Sequence, residues 1–488
     1  MTHRTFTRRG LLKAAGLGVA AAAVSGSAAA KTFGKTARKP NIVLILVDDM
    51  GWTDAGCYGS KYFDTPNIDR LAAKGMKFTD GYAACAVCSP TRAAVMTGRY
   101  PARLGVTDWI RARFQGGKIP ANKVNPSVSG WTRGGRGKLS CPQNALWLEL
   151  DEITIAEALK PAGYTSCHIG KWHLGADEWY PDKQGFDTNI GGCDHGQPPS
   201  YFDPYKRGRQ GNIPTLKPRK KGEFLTDREA DEAVKFITKH QAGPFFLYMA
   251  HYAVHTPLMG KTDVVAKYKA KTPTNQKNPT YAAMVESVDD ALGRIVGTLE
   301  SLKIADNTMV IFTSDNGGLL GPTSNLPLRS GKGYPYEGGI REPLIVRWDG
   351  VVKAGSTCKV PVTSVDYFPT VCQAAGVALP ADRAIDGESI MPLLRQTGGL
   401  KREAIFWHFP HYRGRVVPYS IIRQGKWKLL KRYTGKPFEL FDLEADLSEK
   451  TDLAAKMPDK VKALDARLKA WLKHVGAKIP RKVIQTRT

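Results

Sequence analysis

Four short apolar segments constrain the fold of this chain most strongly, because each has the composition of a buried strand and stops abruptly at polar residues. The segments are residues 41–47, 164–169, 245–249 and 309–313. Apolar residues at helical spacing lie between them, in residues 68–74, 154–159, 227–239 and 281–302. Strands that alternate with helices predict an α/β fold with a large, mostly parallel central sheet flanked by helices on both faces.

Polar residues follow each of the four strand-like segments. Ligands of parallel sheets bind beyond the carboxyl ends of the strands, so these residues are expected to converge on one site. Side chains of these types suit a metal ion or an anion. Taken alone, Asp48-Asp49 and Asp315-Asn316 are also compatible with an ordinary turn. The residues are Asp48, Asp49, Lys171, His173, His251, His255, Asp315 and Asn316.

The pattern changes after about residue 400. Short strand-like segments are followed by a helical pattern over residues 457–475, which predicts a small C-terminal antiparallel sheet with a helix. We therefore expect a larger domain over residues 31–399 and a smaller C-terminal subdomain over residues 400–488. The strand-like segments are residues 404–409, 419–424, 427–431 and 438–441.

The first thirty residues have the pattern of a twin-arginine signal peptide. Arg8 and Arg9 precede an Ala-rich apolar stretch that ends at Ala30, and Lys13 interrupts this stretch, which argues against a membrane anchor. We expect the twin-arginine translocation machinery to export the chain to the periplasm or the exterior. No other apolar run approaches the roughly 20 residues of a spanning helix, so no stable membrane insertion is expected.

The chain is strongly basic, with a formal net charge of +26. Such a surplus attracts polyanions, and charge alone does not choose among nucleic acid, acidic lipid and anionic polysaccharide. Two Gly- and Pro-containing basic stretches, residues 110–147 and 205–221, have the character of long surface loops. Eight cysteines include a single CxxC pair, Cys85 and Cys88, so neither a zinc site nor a tight disulfide framework is indicated, although a redox motif remains an alternative.

Cys88 is predicted to lie at the start of a helix. Ser89 is a suitable N-cap, Pro90 suits the first helical position, and Gly98 follows the helical segment as a stop signal. Unpaired N–H groups at a helix start favour an anion, and Arg92 adds a forked donor. Taken alone, this setting is also compatible with a low-pKa or a structural thiol.

The segment from Cys88 to Arg92, with Thr97-Gly98-Arg99 after it, resembles the signature of the type I, formylglycine-dependent sulfatases. Further landmarks of that family occur in order over most of residues 40–386, and the sequence is most similar to arylsulfatase A and N-acetylgalactosamine-6-sulfatase relatives. The landmarks are residues 47–51, 170–175, 255–257, 314–317 and 331–333, with 337–339 after the last.

The resemblance implies an alkaline-phosphatase-like sandwich in which residues 31–399 form the catalytic domain. It also implies that a separate formylglycine-generating enzyme oxidises Cys88 to formylglycine (3-oxoalanine), whose hydrate is the nucleophile. The implied metal ligands are oxygen donors, a set that favours Ca²⁺, then Mg²⁺, over Zn²⁺. These ligands are Asp48, Asp49, the modified residue at Cys88, Asp315 and Asn316.

The resemblance also assigns roles in the reaction. Arg92, Lys171 and Lys332 would neutralise the sulfate ester, because its negative charge otherwise repels a nucleophile. Asp315 would accept a proton from the nucleophilic hydroxyl, and His255, assisted by Lys332, would protonate the leaving alcohol. His173 would remove the second diol proton, so that sulfate leaves and the aldehyde is regenerated.

The substrate is expected to be a sulfated glycan rather than a nucleic acid. The resemblance favours exo-removal of sulfate from galactose- or N-acetylgalactosamine-type sugars, with His195, Arg111 and His408 as candidate substrate contacts. Two alternatives remain open. One is a phosphonate or phosphodiester hydrolase of the same superfamily, and the other is a non-catalytic polyanion-binding protein.

Overall fold

The computed structural model describes residues 38–110, 119–132, 138–208 and 211–482, so the predicted signal peptide and Arg111 lie outside the described residues. The strands are β1 (Asn41–Val47), β2 (Met76–Phe78), β3 (Gly81–Tyr82), β4 (Thr165–Gly170), β5 (Thr188–Ile190), β6 (Phe245–Ala250), β7 (Thr308–Ser314), β8 (Leu344–Arg347), β9 (Ser356–Cys358), β10 (Val362–Thr363), β11 (Ala404–Phe409), β12 (Tyr419–Gln424), β13 (Trp427–Arg432) and β14 (Glu439–Asp442).

The helices alternate with the strands of the first 400 residues, as the sequence predicts. They are α1 (Pro66–Lys74), α2 (Cys88–Thr97), α3 (Pro101–Leu104), α4 (Ile155–Leu159), α5 (Leu225–His240), α6 (Thr262–Lys269), α7 (Pro279–Ser301), α8 (Glu337–Ile340), α9 (Tyr367–Ala374), α10 (Met391–Leu394) and α11 (Pro458–His474).

The central sheet has the order β5-β4-β6-β1-β7-β8-β2-β9 within the described ranges. The block β5-β4-β6-β1-β7 is parallel throughout, and β8 pairs antiparallel with both β7 and β2. The predicted mostly parallel sheet is therefore confirmed. Its parallel block brings the carboxyl ends of β4, β6, β1 and β7 to one edge.

Both faces of the sheet are covered, because alternate residues of a strand point to opposite sides. On β1, Val43 and Ile45 join an apolar core with α1, α5 and α7. Ile42 and Leu44 join a second core with α4 and α9 on the other face. Among the described residues, no helix is both long enough and apolar enough to cross a membrane.

The C-terminal sheet has the order β11-β12-β13-β14 and is antiparallel, as predicted. One face packs on Tyr82 and Val87, close to the start of α2. The opposite face packs on α11 through Leu464 and Leu468. The C-terminal strands therefore lie against the same part of the chain that presents Cys88.

Candidate active site

The end of each central strand is attached to its neighbours by backbone hydrogen bonds. Lys171 N donates to Ala250 O at 2.7 Å, and Asp315 N donates to Val47 O at 3.1 Å. Asp49 follows β1 with φ 65°, a left-handed conformation that is uncommon for residues other than glycine. The strand ends thus hold the polar residues at fixed positions relative to one another.

Six charged residues form a buried cluster at this edge, which we call the active-site cluster. Lys171 Nζ lies 2.6 Å from Asp48 Oδ2, and Lys332 Nζ lies 2.5 Å from Asp49 Oδ1. The third pair joins Arg92 Nε to Asp315 Oδ2 at 2.9 Å. The formal charges of the three cations and the three carboxylates cancel.

Three oxygens of the predicted metal ligands have no hydrogen-bond donor within the described part of the chain. Asp48 Oδ1, Asp49 Oδ2 and Asn316 Oδ1 are buried and accept no hydrogen bond from the described residues. Buried oxygen atoms of this kind are costly unless a cation or a donor reaches them. The donor set therefore fits a hard divalent cation, and Asp48 and Asp49 also converge with His255 closely enough to share an ion.

Electrostatic coupling divides the proton affinities of the carboxylates. Burial and the neighbouring Asp315 raise the pKa of Asp48 well above its ordinary value. Although burial opposes the change, Lys332 and His255 lower the pKa of Asp49. Burial alone would lower the pKa of Lys332, but the negative charge of Asp49 outweighs this effect. The pKa of Lys332 is therefore raised, and its ammonium group stays protonated.

Cys88 faces His173 across the cleft. Its Sγ lies 3.4 Å from His173 Nδ1. His173 Nε2 lies 3.0 Å from Ile110 O, and because a carbonyl oxygen only accepts, Nε2 carries the proton and Nδ1 has a free lone pair. Burial and Lys171 lower the pKa of His173 well below its ordinary value, which keeps the ring neutral. His173 is thus set up as a base directed at residue 88.

His255 lines the same cleft. Its Nδ1 donates to Thr256 O at 2.8 Å, and its Nε2 lies 3.6 Å from Asp49 Oδ2. Burial and Lys332 lower the pKa of His255 to about 3. The neutral ring therefore directs Nε2 toward the ionic cluster.

The helix that carries Cys88 differs from the prediction in its first turn. α2 begins at Cys88 itself, Val87 is the N-cap residue, and no side chain caps the helix. Ser89, predicted as the N-cap, is fully buried, and its Oγ accepts a hydrogen bond from Ile110 N at 3.0 Å. The prediction of Ser89 as the cap was wrong because a tertiary contact takes up its hydroxyl group.

The cleft at Cys88 has a volume of about 170 Å³. Residues that the sequence analysis missed also line it: Trp109, Gln197 and Arg413. Gln197 lies two residues from the predicted His195, but Arg413 belongs to the turn between β11 and β12, which we call the C-terminal turn, and is more than 300 positions from Cys88. No local pattern in the sequence marks Arg413, since tertiary packing alone brings it to the cleft.

The candidate substrate contacts are placed less uniformly. His195 is buried two residues before Gln197, beside the cleft. His408 lines a separate cavity with Arg103 and Lys478, and its ring contacts Ser420 Oγ and Lys478 O. The structure therefore does not bring His408 together with the residues around Cys88, and Arg111 lies outside the described residues.

Two other histidines near the strand ends are held in the interior. His168 packs against Trp172 and Tyr248, as its position inside a strand pattern predicts. His251 Nδ1 lies 2.7 Å from Glu229 Oε2 in a fully buried pair. Neither ring lines the cleft that contains Cys88.

Comparison with known proteins identifies the family. A family model described as Sulfatase matches residues 40–377, and one described as N-sulphoglucosamine sulphohydrolase, C-terminal, matches residues 331–478. A sulfatase of Formosa agariphila is 34% identical over 89% of this chain and 89% of its own length. The N-acetylgalactosamine-6-sulfatase of Sus scrofa is 38% identical over 85% of this chain and 74% of its own length.

Solved structures agree with this relationship. The crystal structure of Ps i-CgsB in complex with k-i-k-neocarrahexaose superposes with a TM-score of 0.75 at 32% identity, covering 89% of this chain and 93% of that one. The phosphonate monoester hydrolase of Agrobacterium radiobacter, at 20% identity and a TM-score of 0.66 over 89% and 96% of the two chains, shares the fold. The expected alkaline-phosphatase-like sandwich is thereby confirmed. The chain belongs to the sulfatase family and is a sulfuric ester hydrolase.

Proposed function

We propose that this sulfatase removes sulfate from a sulfated carbohydrate, acting from the chain end on galactose- or N-acetylgalactosamine-type sugars. The observation that carries the proposal is that Arg92, Lys171 and Lys332 converge beside Cys88 with carboxylate and amide oxygens that could bind a metal ion. The carbohydrate specificity is supported by the names of the similar proteins, which include N-acetylgalactosamine-6-sulfatase and a neocarrahexaose complex.

Residue 88 is proposed to act after oxidation of Cys88 to formylglycine by a separate formylglycine-generating enzyme. Its hydrate supplies one hydroxyl as the nucleophile and a second whose deprotonation releases sulfate. His173 Nδ1, with its free lone pair 3.4 Å from Cys88 Sγ, is placed to accept that proton. A low pKa keeps His173 unprotonated until the transfer.

His255 and Lys332 are proposed to serve the leaving alcohol. His255 is neutral in the free enzyme, so it becomes a proton donor only when an anionic substrate beside it stabilises the imidazolium form. Lys332 is already protonated and lines the same cleft, so its positive charge faces the anionic substrate. Together the two residues supply a proton and hold the oxygen from which sulfate departs.

A divalent cation, Ca²⁺ or Mg²⁺, is proposed to bind at Asp48, Asp49, residue 88, Asp315 and Asn316. When bound it supplies Lewis-acid stabilisation of negative charge on the sulfate group. A bound cation would add positive charge to the active-site cluster, whose formal charges balance without it. That charge favours an anionic ester over a neutral one.

Export and chain organisation are also proposed from the sequence. Residues 1–30 would direct twin-arginine export to the periplasm or the exterior, residues 31–399 would form the catalytic domain, and residues 400–488 the smaller subdomain. An Arg8→Lys, Arg9→Lys variant is expected to stay in the cytoplasm, which cell fractionation measures. Unchanged export would contradict the assignment.

The chemical proposal is tested on the chain co-expressed with a formylglycine-generating enzyme. Mass spectrometry of the peptide that contains residue 88 should show the aldehyde, and Cys88→Ala should release no sulfate. A panel of sulfated mono- and oligosaccharides should show preference for terminal galactose-type sugars. Faster hydrolysis of phosphodiesters than of matched sulfate esters would support the phosphonate or phosphodiester hydrolase instead.

A further inference from the structure

We propose that Arg413 is a specificity-determining residue that binds a second oxyanion of the substrate. This group would be a carboxylate or a second sulfate on the saccharide that carries the scissile ester. The inference rests on the proposed carbohydrate specificity and deepens it. It assigns a role to a residue of the C-terminal turn rather than to the strand ends.

Backbone contacts and a glycine place Arg413 in the cleft. The turn between β11 and β12 is closed by hydrogen bonds from Arg413 N to Val416 O at 3.0 Å and from Val416 N to Arg413 O at 2.9 Å. A Cβ atom at Gly333 would lie 3.1 Å from Arg413 Nε. The glycine next to Lys332 therefore leaves room for the guanidinium group beside the catalytic lysine.

No described acidic residue forms an ion pair with Arg413. Within the described part of the chain, its side chain has no ion-pair or hydrogen-bond partner, whereas Arg92 and Lys332 each pair with an aspartate. A guanidinium group carries five donors in a planar fork that fits carboxylate and sulfate-like oxyanions. A half-buried fork in a substrate cleft is thus available for an anion that arrives with the substrate.

The scissile sulfate is already provided with cations, because Arg92, Lys171 and Lys332 lie at the strand ends beside Cys88. Arg413 reaches the cleft from a segment other than the strand ends. Trp109 and Gln197 line the cleft beside it, and neither takes part in the proposed reaction. An indole ring and an amide suit the face and the hydroxyl groups of a sugar. These three side chains therefore have the chemistry to recognise the saccharide around its ester group.

An adjoining cavity gives room for the next sugar unit. It has a volume of about 420 Å³, shares Trp109 with the cleft and is also lined by His411 and Tyr412, which directly precede Arg413. A saccharide that extends from the cleft into this cavity passes the turn that carries Arg413. A second anionic group on the sulfated sugar or on its neighbour would then lie within reach of the guanidinium group.

The test compares Arg413→Gln and Arg413→Lys with Arg415→Gln, a matched control because Arg415 is exposed in the same turn. Each enzyme is assayed on a singly sulfated oligosaccharide, on its doubly sulfated form and on a form with a neighbouring carboxylate. Arg413→Gln should lower kcat/KM about 10- to 100-fold for the substrates with a second anion and less than about threefold for the singly sulfated one. Arg413→Lys should retain part of the activity, and Arg415→Gln should change neither value.

The two doubly charged substrates show which oxyanion is bound, since only the matching one should respond strongly. Equal loss on all three substrates would place Arg413 on the scissile sulfate and overturn the inference. Absence of any preference of the wild-type enzyme for a second anion would also overturn it. Failure of the wild-type enzyme on every sulfated saccharide, with sulfate released from aryl esters, would instead contradict the carbohydrate proposal. Equal thermal midpoints of the variants would exclude a folding defect.

Discussion

Two buried ionic clusters contain the same numbers of carboxylates and cations but differ in how completely the protein pairs their atoms. The active-site cluster contains three carboxylates and three cations at the strand ends. A second group, which we call the interface cluster, also contains three of each and lies where the C-terminal sheet meets β3 and α8. It consists of Asp80, Glu337, Arg341, Arg423, Lys428 and Glu449.

The interface cluster is closed on itself. Lys428 Nζ lies 2.9 Å from Glu337 Oε1 and 2.8 Å from Glu449 Oε1. Glu337 Oε2 accepts from Tyr82 OH at 2.7 Å, and Glu449 Oε2 accepts from Glu337 N at 2.7 Å. Each oxygen of the two glutamates therefore lies within 2.9 Å of a protein donor or cation, although Glu449 Oε1 is reached only by its ion pair with Lys428 and accepts no hydrogen bond from the described residues. The cluster joins segments that are distant in sequence.

In the active-site cluster and the adjacent Asn316, one oxygen each of Asp48, Asp49 and Asn316 accepts no hydrogen bond from the described residues. Because burying unpartnered oxygens is unfavourable, they are retained where a ligand completes them. The comparison teaches that the count of charges does not distinguish a structural cluster from a functional one. The distinction lies in which atoms the protein leaves unpaired.

The largest expected effect comes from removing the cation. Treatment with a chelator should lower kcat/KM at least about 100-fold, because loss of Lewis-acid stabilisation costs several kcal/mol. Adding Ca²⁺ to the chelated enzyme should raise its thermal midpoint, by the equivalent of about 2.7 kcal/mol at a hundredfold excess over Kd. Calorimetry measures this binding independently of activity, and the Asp49→Asn variant should lose most of the shift. An unchanged midpoint would remove the contrast between the two clusters.

Breaking the interface cluster should affect stability instead of chemistry. Lys428→Met leaves Glu449 without its ion-pair partner and Glu337 with Arg341 alone, in a buried setting, and should lower the free energy of unfolding by about 3–5 kcal/mol. Activity per folded molecule should stay within about twofold at a temperature where the variant is folded. Lys426→Met is the matched control, because its pair with Asp442 is exposed to solvent on the lysine side and is therefore expected to contribute little to stability. Denaturant unfolding decides, and equal effects of both changes would show that the cluster adds little.

A pH series sharpens the comparison at the C-terminal sheet. Burial lowers the pKa of His408 from 6.5 to about 4, so the folded state disfavours the charged ring. A depressed folded-state pKa means that the unfolded chain binds the proton first, so stability falls as pH decreases from about 6.5 to about 4. The contribution of this residue is about 3 kcal/mol across that window. His408→Gln should flatten the plot of unfolding free energy against pH between about 4 and 6.5 without changing its slope above pH 7. An unaltered slope between about pH 4 and 6.5 would contradict the assignment.

The smallest effect is expected at an exposed ion pair. Arg467 pairs with Glu403 across the surface of α11, with both side chains largely exposed. Arg467→Ala should change the free energy of unfolding by less than about 1 kcal/mol, and addition of salt should reduce even this difference. Thermal unfolding at low and high ionic strength measures it. A larger loss would indicate that surface pairs rival the buried clusters.

Local patterns were sufficient to predict most of the elements around the site. The predicted strand 41–47 coincides with β1, and segments 404–409 and 419–424 coincide with β11 and β12. Boundaries shifted where a tertiary contact intervened, as at Ser89, whose hydroxyl bonds to Ile110 instead of capping α2. The location of His408 could not be predicted from local patterns either, because a histidine on a C-terminal strand can point to the cleft or to the interior. In the structure its ring contacts Ser420 in the interior.

The sequence by itself determined the alternation of strands and helices, the positions of the strand-end aspartates and lysines, and the segment that carries Cys88. These features are local, since hydrophobic period and turn chemistry act over a few residues. Only the tertiary structure decided which lysine pairs with which aspartate, which oxygens remain unpaired, and that Arg413 enters the cleft. Those outcomes depend on contacts between residues far apart in the chain, which form only when the sheet edge and the C-terminal turn pack together.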